Sequence, residues 1–154
     1  MRDSKSASKP ILLLQEEEAA KMPLIGFTVF KDKLLDGTKT QTIRKLRKRP
    51  IKEGDKLYLY WHLRQKDCEK LGEVICTKAF IIQLHREYWF GKISLLILRF
   101  VGDKSIPRWK PSSIQETAEI ITRDGFKDAD EMLAFFKRYP LPDIFQVIRW
   151  EKEN

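Results

Sequence analysis

From residue 24 onward the chain moves between two hydrophobic rhythms. Residues 57–61 alternate with a period of two, which sets Leu57, Leu59 and Trp61 on one face of a strand and Tyr58 and Tyr60 on the other. Apolar stretches over 25–30, 73–84, 93–101 and 144–150 predict further strands, with a short β-branched one over 40–44. Residues 85–91, with Tyr88, Trp89 and Phe90, fall between the two longest strands and predict a hairpin connection. Residues 31–36 predict a short helix with Leu34 and Leu35 facing inward, closed by Gly37. Ser113 before Glu116 and Asp128 before Glu131 are capping boxes that open helices over 114–121 and 129–139. Met132, Leu133, Phe135 and Phe136 supply the buried stripe of the second helix, and Pro140 and Pro142 stop it. Many strands with two helices inserted late predict an α+β fold, most simply a small mixed β-barrel with two to three peripheral helices.

Ahead of this pattern, residues 1–9 are polar and serine-rich, a composition that favours disorder. Pro10, Ile11, Leu12, Leu13 and Leu14, followed by three glutamates, predict a short helix that Pro23 ends. Residues 1–22 therefore read as an extension, partly disordered, and 23–154 as the folded domain. The leucine-rich 11–22 segment is a candidate docking helix for a protein partner.

At 154 residues the chain suits one domain around a single core. Its net charge of +8 favours anionic partners such as nucleic acid. The only cysteines are Cys68 and Cys76 and the only histidines His62 and His85, without metal-ligand spacing, so no metal and no cofactor are expected. Two unpaired thiols fit a reduced, cytoplasmic setting. No apolar run approaches the roughly 20 residues of a membrane span.

The densest chemistry lies in Gly37-Thr38-Lys39-Thr40-Gln41-Thr42-Ile43-Arg44. Period-two alternation places Thr40, Thr42 and Arg44 on one face of that strand and Gln41 and Ile43 on the other. With Ile43 inward, two hydroxyls and a guanidinium line a separate surface, which Lys39 overlooks from the preceding turn. The face reads equally as a polar guard on an edge strand. Lys45, Arg47, Lys48 and Arg49 continue the charge into a loop, either as a solvated surface or as contacts to a nucleic-acid backbone. Tyr58, Tyr60, Trp61, Tyr88, Trp89 and Trp109 are candidates for base stacking or for the core. Between the two later helices, Gly125 suits a left-handed turn and Phe126 a plug, which fixes Asp124 beside them.

Gly37-x-Lys39-Thr40-x-Thr42-Ile43-Arg44, then Ile51-x-x-Gly54-Asp55-x-Leu57, then Asp124-Gly125-Phe126 before a helix, resembles the ASCH domain family. Phe145-x-Val147-Ile148-x-Trp150 looks like the family's last strand, so the resemblance spans about residues 24–150. It implies a PUA-like β-barrel and the binding of RNA or a nucleotide in a cleft lined by Lys39, Thr40, Thr42 and Arg44, with Trp61 and Arg64 beside it. The loop residues Lys45, Arg47, Lys48 and Arg49 would then meet the backbone. An alternative implied by the same motif is an amidohydrolase that deacetylates N4-acetylcytidine with a Lys, a Thr and a Glu. Carried over by motif, these fall on Lys39, Thr42 and Asp124, where an aspartate, one methylene shorter, replaces the glutamate. A ribonuclease on the same cleft is a third reading. In the amidohydrolase, burial and Arg44 would lower the pKa of Lys39 and a nearby Asp124 would raise it; a neutral Lys39 would take the proton of Thr42 while Arg44 holds the oxyanion.

Overall fold

The computed structural model describes residues 23–102 and 105–151; the predicted extension, with its helix and docking segment, lies outside the described residues. In chain order the elements are β1 (Leu24–Phe27), α1 (Lys31–Asp36), β2 (Gln41–Lys45), β3 (Lys56–Trp61), β4 (Glu69–Trp89) and β5 (Lys92–Gly102). They continue with β6 (Pro107–Pro111), α2 (Ile114–Arg123), α3 (Ala129–Phe135), a 3₁₀ turn (Phe136–Arg138) and β7 (Asp143–Trp150). The fold is mixed α+β, a seven-stranded sheet with three α-helices.

The 21-residue β4 is the spine of that sheet. Its first part pairs antiparallel with β3, its middle with β7 and its far end with β5. β1 lies parallel to β3, β6 antiparallel to β5, and β2 antiparallel to β7. The predicted barrel does not close, because β1 and β2 both remain edges and no backbone ladder joins them. Two guanidinium groups bridge this seam instead. The carbonyls of Pro23 and Phe27 accept from Tyr58 N at 3.1 Å and His62 N at 2.9 Å, so those of Leu24 and Gly26 point the opposite way. Arg47 Nη2 donates to Leu24 O at 3.1 Å, and Arg44 Nη2 donates to Gly26 O. A peptide oxygen left without a partner costs about 1–3 kcal/mol when buried, a cost that bears on the part-buried Gly26 carbonyl and not on the exposed one of Leu24.

β7 is buried on both faces. Phe145 and Val147 join Ile43, Ile82, Leu84, Ile97, Ile120, Met132 and Phe136 in the core beneath the helices. Ile148 and Trp150 turn to the opposite side, where they pack with Ile25, Phe27, Ile51, Leu57 and Leu59. The alternation of β2 follows from this: Gln41 and Ile43 face α2, while Thr42 and Arg44 face the seam.

Several sequence expectations are corrected. The strand predicted over 25–30 ends at Phe27, because Phe30 adopts φ 64° and starts α1 directly. Leu35 is exposed rather than inward, since the six-residue α1 covers the protein with one side only. Residues 85–89 are strand, not connection: β4 and β5 pair out to Trp89 and Lys92. The connection is the two-residue turn Phe90-Gly91, with φ 51° and 76°, the left-handed pair that suits the twist of a hairpin. The last helix gives way to the 3₁₀ turn after Phe135, and β6, with its two prolines at an edge, was not anticipated. Both capping residues act as expected: Ser113 Oγ accepts from Glu116 N at 3.1 Å and Asp128 Oδ1 from Glu131 N at 2.9 Å. Among the described residues no helix is long and apolar enough to cross a membrane.

Candidate functional site

The seam between β1 and β2 opens into a cavity of about 240 Å³. The end of β1 and the following loop supply Phe27 and Phe30; β2 and the turn before it supply Lys39, Thr42 and Arg44. The C-terminal end of α2 brings Asp124 and Phe126, and the 3₁₀ turn brings Arg138 and Tyr139. At about 30 Å³ per water it holds roughly eight waters, below the ~300 Å³ at which drug-sized ligand pockets begin. A space of that size admits one planar ring with a substituent.

Lys39 and Asp124 form an ion pair inside the wall, 3% and 5% exposed. Lys39 Nζ donates to Asp124 O at 2.5 Å and lies 3.2 Å from Oδ2. It also sits over the rings of Phe27 and Phe30, 5.7 and 5.5 Å from their centroids. Burial lowers the Lys39 pKa from its ordinary 10.5; Asp124 opposes the shift, and Arg44 and Lys33 reinforce it. Asp124 can reach this lysine because of the turn that follows it. Gly125 has φ 101°, and a Cβ there would approach the Phe30 ring to 3.2 Å. Phe126 is buried against Phe30, Phe135 and Phe136, as the plug expectation required.

A second layer holds the carboxylate. Arg149 Nε donates to Gln41 Oε1 at 2.9 Å, and Gln41 Nε2 donates to Asp124 Oδ1 at 3.1 Å and to Ile120 O at 2.8 Å. A guanidinium can only donate, so the Gln41 amide has one possible orientation, with its NH₂ toward Asp124. Each carboxylate oxygen of Asp124 then has a defined donor, Gln41 for Oδ1 and Lys39 for Oδ2. Neither Gln41 nor Arg149 was anticipated as part of the site. The sequence placed Gln41 on the inward face, but Arg149 lies 108 positions away, beyond any local pattern.

Arg44 Nε donates to Thr42 Oγ1 at 2.9 Å, which leaves the Thr42 proton directed elsewhere. The Arg44 guanidinium lies 4.9 Å from the Phe27 ring centroid, and burial lowers its pKa while leaving it charged. Lys39 and Thr42 share the cavity wall; no hydrogen bond among the described residues joins them. Lys39 and Arg44 retain N–H groups beyond those assigned and line the cavity together with the aromatic rings of Phe27, Phe30 and Tyr139.

The other expected residues are placed apart. Thr40 Oγ1 accepts from Arg123 Nη1 at 3.5 Å, away from the cavity lining. Trp61 stacks on His62 with ring centroids 4.3 Å apart, and Arg64 is an exposed turn residue; neither lines the cavity. Lys45 is paired with Asp143 at 2.9 Å and Arg47 with the Leu24 carbonyl. Lys48 and Arg49 line a different, more open groove with Pro23, Ile51 and Lys52. Arg47 also lines that groove, which shares no lining residue with the Lys39 cavity. Cys68 and Cys76 are free thiols, and no metal-ligating cluster is found among the described residues.

Fold and site together define an α+β domain with a small cavity at an unclosed sheet seam, lined by Lys39, Thr42, Arg44 and Asp124. No protein-family model matches the chain, and neither a curated protein nor a solved structure does.

Proposed function

We propose that the cavity binds a single nucleobase, carried by a nucleoside or nucleotide, in an ASCH-like domain whose sheet is a PUA-like barrel joined at its seam by arginines. The observation that carries this reading is the match between a cavity of about 240 Å³ and one substituted ring. Phe27, Phe30 and Tyr139 offer flat walls, and Lys39, Thr42 and Arg44 offer donors to ring and acyl oxygens. A cytosine ring presents acceptors at O2 and N3, and an N4-acyl group adds another. Isothermal titration with cytidine, uridine, adenosine, guanosine and N4-acetylcytidine tests it. Binding of at least one at sub-millimolar Kd, weakened at least tenfold by Arg44→Met, is expected. No binding of any of the five at millimolar concentration would remove the proposal.

One observation favours a second reading, amide hydrolysis of N4-acetylcytidine. A lysine with a lowered pKa shares a cavity wall with a threonine whose hydroxyl already accepts from Arg44. Lys39, once it has given up its proton, takes that of Thr42, and Thr42 Oγ attacks the acetyl carbonyl with the oxyanion held by Arg44. The C–N bond then breaks as the Lys39 ammonium protonates the departing N4 amine, and water hydrolyses the acetyl ester to acetate. Asp124 steers Lys39 despite its shorter side chain, because the α2 terminus brings its carboxylate within 3.2 Å of Nζ. Acetate release from N4-acetylcytidine that vanishes in Thr42→Val supports this reading; nucleoside binding without turnover excludes it.

A further inference from the structure

The open groove beside the start of β1, about 770 Å³ in volume, is lined by Pro23, Arg47, Lys48, Arg49, Lys52 and Asp55, among others. Its four cations are all exposed. Arg47 donates to Leu24 O at 3.1 Å, whereas Lys48, Arg49 and Lys52 form no ion pair with another described residue. Four cations against one carboxylate leave a surplus of three positive charges. That carboxylate is also engaged locally, since Asp55 Oδ2 accepts from Lys52 N at 2.9 Å. Crowded like charges repel one another, and an anion seated among them relieves that repulsion.

The groove is also where the chain ahead of β1 enters the domain. Pro23 lines it, with its carbonyl accepting from Tyr58 N at 3.1 Å, and Arg47 holds the carbonyl of the next residue, Leu24. The segment before that anchored point, outside the described residues, carries Glu16, Glu17 and Glu18 in succession, with Lys21 the only cation over residues 10–22. Glu18 lies five positions from Pro23 and Glu16 seven. At about 3.5 Å per residue they reach no further than about 18 and 25 Å from it. Three carboxylates are thus tethered beside three cations that have no counter-charge.

We propose that Glu16, Glu17 and Glu18 occupy this groove of their own chain, so that the extension screens Lys48, Arg49 and Lys52 from external anions. Two observations select this occupant over a separate molecule. The groove starts at the point where the extension leaves the domain, and a short tether supplies its carboxylates at an effective concentration of about millimolar without the cost of bringing two molecules together. No aromatic ring lines the groove, so a nucleic-acid base finds nothing there to stack on. An external anion must displace the extension before it meets the basic loop. The proposal is independent of the base site, with which the groove shares no lining residue.

Nitrogen–proton NMR of the full chain would compare the wild type with the triple variant Glu16→Gln/Glu17→Gln/Glu18→Gln. The amide shifts of Lys48, Arg49 and Lys52 are expected to differ between the two at low salt. They should converge in about 1 M salt, where the screening length falls to about 3 Å. Hexaglutamate, titrated by calorimetry, is expected to bind the triple variant at least roughly threefold more tightly than the wild type, because the tethered competitor is gone. That gain should vanish in a background of Lys48→Glu/Arg49→Glu. Coincident spectra at low salt, equal hexaglutamate affinity, or no binding of hexaglutamate to the triple variant overturns the proposal. A gain that survives Lys48→Glu/Arg49→Glu moves the carboxylates to another surface and overturns it as well. Shift differences that grow with protein concentration assign the carboxylates to the groove of a second copy and overturn docking within one chain.

Discussion

Replacing Lys39 with methionine probes the pair on which the cavity wall depends. The substitution roughly conserves volume but leaves the Asp124 carboxylate, 5% exposed, without the ammonium 3.2 Å away. Gln41 still donates to Oδ1, so the carboxylate keeps one hydrogen bond and loses its counter-charge. Breaking a buried pair from one side costs about 3–5 kcal/mol, a large share of the ~5–15 kcal/mol that holds a typical domain together. At roughly 2–4 °C per kcal/mol for a chain of this size, Tm falls by about 6–20 °C. The double variant Lys39→Met/Asp124→Leu removes both charges and leaves Gln41 its bond to Ile120 O. It is therefore expected to recover most of that loss, because an apolar pair of similar volume is often as stable as a buried ion pair. Urea unfolding of the wild type, both single variants and the double variant closes the cycle. A cost below about 1 kcal/mol for Lys39→Met, or single effects that simply add, would falsify the claim that the two charges stabilise one another in a dry wall.

The same lysine predicts a pH dependence. Its folded pKa lies below 10.5, so between that value and 10.5 the unfolded chain binds the extra proton and stability rises with pH. The wild type should gain stability relative to Lys39→Met as pH climbs through that window, by no more than about 1.4 kcal/mol per pH unit; a flat difference refutes the shift. Gln41→Leu removes the donor to Asp124 Oδ1 and strands the Arg149 Nε proton, so it should cost about 1–3 kcal/mol and weaken ligand binding, whereas Gln41→Glu should restore the contact to Arg149 but repel Asp124. Calorimetry and binding on the two variants separate those effects. Gly125→Ala must place a Cβ at φ 101° and 3.2 Å from the Phe30 ring, and a loss of about 1–3 kcal/mol in urea unfolding is expected.

The site owes its character to a seam that backbone pairing leaves open. A closed sheet would satisfy the Gly26 and Leu24 carbonyls through a ladder and leave no room between β1 and β2. Long guanidinium side chains span that gap, and one of them, Arg44, also lines the cavity. The residue that joins the sheet edges is thus the one that presents a fixed cation to a ligand. Substitution of Arg44 is accordingly expected to change stability and binding together, and urea unfolding of Arg44→Met measured beside its titration separates the two.

Much of this was legible in the chain itself. Period-two alternation set the faces of β2 and β3, the spacing of Ser113 to Glu116 and Asp128 to Glu131 marked the helix starts, and Asp124-Gly125-Phe126 foretold a fixed turn with an aromatic plug. These are local signals, carried by residues within a few positions of one another. The run of the β4–β5 hairpin through Tyr88 and Trp89 was hidden because a left-handed Phe90 leaves no mark of its own in composition. Trp61 and Arg64 were grouped with the ligand site from their residue types, and residue type says nothing about which side of a sheet a side chain occupies. Only the tertiary structure decided that Lys45 and Arg47 are committed to Asp143 and Leu24, that the basic loop faces a different groove, and that Gln41 and Arg149 hold Asp124 against Lys39. Those contacts join residues 23 to 108 positions apart, and the energies of the buried ones, among Gln41, Arg149, Asp124 and Lys39, depend on burial that exists only once the sheet and helices have closed over them.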